Sequence, residues 1–134
     1  MKLLKCLKNV LSKKEKNKVI SKPELKTSKP LYPNLGYKLS KRSLSRLKGV
    51  DSDLVFIMTL AISISPYDYG ILKGLRTLIE QKKLFENGDS QTMDSKHLYG
   101  EAVDIVAYIG RSVSWEEIVY VEIAECVRLF ARQH

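Results

Sequence analysis

Residues 13–40 read as a linker and not as core, and this limits how much of the chain is expected to fold. Lysines dominate the stretch, Pro23, Pro30 and Pro33 interrupt it, and core-forming apolar residues are sparse. Such a segment buries too little surface to offset the entropy of ordering it. Residues 1–40 therefore read as a basic arm and linker, and residues 41–134 as the domain. Charge divides at nearly the same place. Residues 1–48 hold 15 Lys and Arg against Glu15 and Glu24, whereas residues 49–134 hold 8 against 13 Asp and Glu. The formal charge of +8 is thus the sum of +13 on residues 1–48 and −5 on residues 49–134, so the basicity belongs to the N-terminal part. An anionic envelope surface is a partner the arm suits. Nucleic acid is not expected, because the aromatic residues do not interleave with the basic cluster and no recognition motif is present.

At the start, Leu3, Leu4, Leu7, Val10 and Leu11 fall at helical spacing with Lys2, Lys5 and Lys8 between them. That pattern fits either a short amphipathic helix on an anionic membrane or a weakly structured tail. The lysines break up any apolar stretch and no small-residue cleavage site follows, so it does not read as a signal peptide. The longest apolar run, residues 54–64, is well short of the roughly 18–20 residues that span a bilayer. A chain made in the cytoplasm is expected. Cys6 and Cys126 have no disulfide or metal-site spacing and read as unpaired thiols.

Within the domain, Ser43–Leu47 suits a helical turn ending at Gly49. Asp51 or Ser52 can cap a helix to about Ser63, with Leu54, Val55, Met58, Ala61 and Ile62 on its buried face. Tyr69–Leu72 reads as a strand. Thr77 and Glu80 form a capping-box pattern for a helix that stops at Asn87-Gly88. A polar loop over residues 88–100 leads to a strand from Ala102 to Tyr108. Ser114 is then expected to cap a last helix over Trp115–Gln133, with Trp115, Ile118, Val119, Ile123, Cys126, Val127 and Phe130 as its apolar stripe. The fold class is α+β, a small antiparallel sheet packed with helices.

The stretch from Ser95 to Asp104 carries the chemistry. His97 sits in the polar loop, and Asp104 follows seven residues later among Ala102, Val103, Ile105 and Val106. An ionised carboxylate in apolar surroundings is costly unless it is paired or bound to a metal. Gly100 allows the loop to turn so that His97 folds back toward Asp104. Nitrogen and oxygen donors of this kind suit zinc. Read on these residues alone, His97 serves at least as well as a surface histidine, and Asp104 equally well as a buried partner for Lys or Arg.

The spacing Ser95-x-His97-x-x-Gly100-x-Ala102-x-Asp104 resembles the zinc signature of peptidoglycan peptidases. These include VanY-type D-alanyl-D-alanine carboxypeptidases and phage endolysins that cut the L-alanyl–D-glutamate bond. Ser45 to Val50 with Asp53-Leu54, Asp68-Tyr69-Gly70, Gly74-Leu75-Arg76-Thr77 and Gln81, and Gly88, Ser90 and Thr92 continue the likeness in order. The resemblance implies a hedgehog/DD-peptidase-like fold and a zinc-dependent hydrolase acting on the peptidoglycan stem peptide. His97 and Asp104 would be zinc ligands, and Arg76 would stabilise the oxyanion at the scissile carbonyl. Ser95 and Gln81 would lie near the substrate, or serve as structural hydrogen-bonding groups. Ser90 and Thr92 would shape the loop. Such an enzyme acts at the cell wall, and a phage lysin of this kind needs a holin to reach it.

The resemblance also implies a third ligand, a histidine after a final strand, with the catalytic carboxylate just before it. Only 30 residues follow Asp104, so the expectation is a C-terminally incomplete domain lacking that strand. His134 closes the last helix, where fraying is expected, and suits the third position poorly. Glu101 on a strand would alternate away from Asp104. The alternative reading is a catalytically inactive homologue that binds the wall or an anionic surface.

Overall fold

Capped helix starts and left-handed glycines set most of the element boundaries. The computed structural model describes residues 35–133. Ser40 opens α1 (Lys41–Arg46), its hydroxyl accepting from the Ser43 amide at 3.1 Å. Asp51 opens α2 (Ser52–Ile64), accepting from the Asp53 and Leu54 amides at 3.0 and 3.2 Å. Strand β1 (Asp68–Lys73) leads to α3 (Leu78–Glu86), which opens with the reciprocal Thr77–Glu80 capping box. Lys73 Nζ donates to Glu80 Oε1 at 2.6 Å. That bond, with the Thr77 amide, holds the Glu80 carboxyl down at about 2. A single 3-10 turn (Lys96–Tyr99) precedes β2 (Asp104–Ile109), β3 (Ser112–Ser114) and α4 (Glu117–Ala131).

The strands form one antiparallel sheet in the order β1-β2-β3. Tyr69 pairs with Ala107 and Ile71 with Ile105; after a register shift Lys73 lies opposite Asp104. Side chains alternate across a sheet. Tyr69, Ile71, Ile105 and Ala107 therefore share one face, and they pack with Ile57, Met58 and Ile62 of α2 and Val119, Ile123 and Val127 of α4. Gly70, Asp104, Val106 and Tyr108 fall on the other. The Tyr69 hydroxyl donates to the Met58 carbonyl at 2.6 Å and ties the sheet to α2. The α+β class and the small antiparallel sheet are as the sequence indicates.

The C-terminal third departs from the sequence pattern. Ser112–Ser114 forms β3, paired with Ala107–Ile109. Ser114 thus ends a strand, and α4 begins at Glu117 after Glu116, which makes no side-chain cap bond. Three residues are too few to show strand alternation, so β3 left no readable signal. Trp115 does not lead the buried stripe: it precedes α4, is 63% exposed, and stacks on Tyr120 at 6.3 Å. Ile118 is also exposed. Tyr120 is buried instead, because its hydroxyl finds two partners at the sheet. It donates to the Ser114 carbonyl at 2.9 Å and accepts from the Ala107 amide at 3.1 Å.

Smaller differences occur elsewhere. Ladder pairing in β2 starts at Asp104, not Ala102. Leu39 joins the core and Tyr37 packs against it, so packing begins just before Ser40. Cys126 is a buried free thiol, pushed up to about 11 chiefly by that burial. Among the described residues, no helix is long and apolar enough to cross a membrane. The 2–12 segment, Cys6 and His134 lie outside the described residues.

Candidate active site

The C-terminal end of β1 and the start of β2 converge on a fully buried imidazole. His97 lies in the 3-10 turn that Ser95 caps, the Ser95 hydroxyl accepting from the His97 amide at 3.4 Å. Gly100 ends this turn with φ 71°. A Cβ there would lie 2.4 Å from the Gly49 carbonyl oxygen, so only glycine allows both the left-handed turn and the close approach. Gly74 is equally confined, since a Cβ would sit 2.4 Å from the Arg46 carbonyl oxygen. These contacts seat both the 74–76 segment and the 3-10 turn against residues 46–50.

The 74–76 segment holds His97 at two points. The Arg76 amide donates to the His97 carbonyl at 2.9 Å, and the Gly74 carbonyl accepts from His97 Nδ1 at 2.8 Å. A carbonyl can only accept, so Nδ1 carries the proton. In the neutral ring this leaves Nε2 with its lone pair. Nε2 faces Asp104 Oδ1 at 3.1 Å. Two acceptors in contact repel unless a proton or a metal cation lies between them.

That donor set fits a zinc ion. The imidazole nitrogen is the right tautomer for ligation, its other nitrogen is anchored by a backbone carbonyl, and a carboxylate oxygen is beside it. Two donors are short of the three protein ligands usual in a catalytic zinc site. Among the described residues, no group of three or more His, Cys, Asp or Glu side chains is arranged to hold a metal.

Arg76 completes the cluster. Its Nη2 lies 3.4 Å from Asp104 Oδ2, and its Nη1 donates to Gln81 Oε1 at 2.8 Å. Gln81 Nε2 in turn donates to Ser90 Oγ at 2.9 Å and to the Thr92 carbonyl at 2.6 Å. Gln81 has no exposed surface and no amide atom to spare. It stands behind Arg76 and ties the guanidinium to the 90–92 loop. Ser95 is likewise buried, with its hydroxyl used as a helix cap. Glu101 is exposed and precedes β2. Sequence reasoning missed the Gly74 carbonyl, because a backbone acceptor has no residue signature. Replacing Gln81 by Leu would remove the acceptor of one Arg76 N–H and leave the Thr92 carbonyl with the Ser90 hydroxyl alone. Equilibrium urea unfolding is expected to register a loss of about 1–3 kcal/mol.

The sequence profile of the phage L-alanyl-D-glutamate peptidases matches residues 35–133, and the chain belongs to that family. The L-alanyl-D-glutamate peptidase of Escherichia phage T5 is 32% identical over 87 residues, covering 63% of this chain. The match spans 64% of that protein's own length. The crystal structure of Serratia marcescens L-Ala D-Glu endopeptidase ChiX superposes with a TM-score of 0.68 at 39% identity, over 75% of this chain and 76% of that one.

Proposed function

We propose that this protein is a zinc-dependent peptidase that hydrolyses the L-alanyl–D-glutamate bond of peptidoglycan stem peptides at the cell wall. The observation that carries this reading is the convergence of His97 Nε2 and Asp104 Oδ1, 3.1 Å apart, beside the Arg76 guanidinium. The relatives' activity favours an endopeptidase over a carboxypeptidase.

Bound zinc supplies a coordinated water whose pKa is lowered toward about 7 and a Lewis acid for the scissile carbonyl. His97 and Asp104 would hold the ion. The Gly74 carbonyl keeps the His97 ring in the ligating tautomer. Arg76, fixed by Gln81, offers its guanidinium to the oxyanion that develops on the carbonyl. Asp104 keeps Arg76 close to the site.

Incubating the full chain with purified peptidoglycan tests the proposal. Cleavage of the proposed bond exposes a new amino group on D-glutamate, which amine labelling and mass spectrometry detect. Zinc-dependent release, abolished by a chelator and restored by added zinc, is expected. A zinc-loaded, folded chain that exposes no D-glutamate amine would refute it.

A further inference from the structure

We propose that the sheet face bearing Asp104 also carries a distal cleft that takes a free carboxylate of the substrate polymer, an inference that rests on the peptidase reading above. A cavity of about 330 Å³ lies between α1 and β1, lined among others by Lys38, Arg42, Arg46, Asp68, Gly70 and Tyr108. This is the lower end of small-ligand pockets, roughly 300–1,000 Å³, and suits one amino acid or sugar unit, not a folded partner.

The cleft's charge is not spent within the fold. Among the described residues, no carboxylate forms an ion pair with Lys38, Arg42 or Arg46. Arg46 Nη1 donates to the Ile71 carbonyl at 2.8 Å, which anchors the guanidinium at the rim. Arg42 is one turn earlier on the same helix, and like charges at that spacing oppose helix formation slightly. Asp68, the acid of the cleft, accepts from the Tyr69 amide. An anion is the missing complement, and a planar carboxylate matches the forked donors of two arginines.

Shape and position point to the substrate itself. Gly70 leaves space at the cleft wall: a Cβ there would sit 3.4 Å from Ser43 Oγ and 3.5 Å from the Tyr108 ring, in ordinary contact. A methyl group fits without strain but occupies the cleft. Tyr108 and Asp104 lie on the same face of β2, four residues apart, which is roughly 13 Å along a strand. An extended peptide cut at Asp104 therefore presents to the cleft a group about four residues from the scissile bond.

Two soluble stem peptides test this, one with a carboxylate about four residues from the L-alanyl–D-glutamate bond and one with a carboxamide there. Wild-type chain is expected to show a KM about tenfold lower for the carboxylate peptide, the scale of one charge-assisted hydrogen bond. In Arg42→Gln and in Gly70→Ala the ratio of the two KM values is expected to fall to about one. A wild-type ratio of one, or a ratio unchanged in both variants, overturns the proposal. Succinate titration followed at the Gly70 amide by NMR decides the cleft independently of catalysis. A saturable shift that weakens in Arg42→Gln supports it, and a flat response overturns it. Failure to cut either peptide speaks against the peptidase reading instead.

Discussion

Asp104→Asn and His97→Ala are each expected to reduce peptidoglycan hydrolysis by at least about 10³-fold. Loss of either donor removes the pair that would hold the ion, and with it several kcal/mol of transition-state stabilisation. Each 1.36 kcal/mol corresponds to a decade of rate. Asp104→Asn is the more informative variant, because it nearly keeps side-chain volume while removing the carboxylate. His97→Ala also leaves a cavity and an unpaired Gly74 carbonyl in a fully buried place, so it costs stability as well. Thermal unfolding separates the two effects. A ligand that binds only the native state raises the melting temperature. Zinc should stabilise the wild type and leave Asp104→Asn unmoved. A variant that is inactive yet still stabilised by zinc would show that Asp104 serves another purpose.

Arg76→Lys is expected to lower kcat by about 10²–10³, the cost of losing one oxyanion donor, with KM little changed. Lysine keeps the positive charge but cannot fork between two partners. In this fold the guanidinium spans Gln81 on one side and Asp104 on the other. An ammonium cannot hold both contacts and point at a third group. Zinc stabilisation should persist in this variant, which distinguishes it from loss of a ligand. A rise in KM with kcat intact would make Arg76 a substrate anchor instead.

The parts of this molecule legible in the sequence are those where one residue type has one physical use. Asp51 and the Thr77–Glu80 box cap helices where the sequence places them. Gly100 turns the loop so that His97 and Asp104 meet, an arrangement that the seven-residue spacing allowed but did not require. Less legible were features that depend on partners distant in sequence. The Gly74 carbonyl fixes the His97 tautomer through a backbone atom any residue has. Gln81 could face substrate or protein equally well, and the partners that engage its amide, Ser90 and Thr92, lie in a separate loop. Strand β3 was too short to show a period, and the hydroxyl of Tyr120, bonded to the sheet, turned α4 away from the stripe that apolarity alone suggested.

The proposed chemistry depends on His97 and Asp104 sharing one divalent ion. Ring-nitrogen NMR of His97 during zinc titration tests this most directly. The prediction is that Nδ1 keeps its proton while Nε2 moves to a metal-bound position, and that the Nε2 change is lost in Asp104→Asn. A His97 ring that does not respond to zinc, in protein that hydrolyses peptidoglycan, would contradict it.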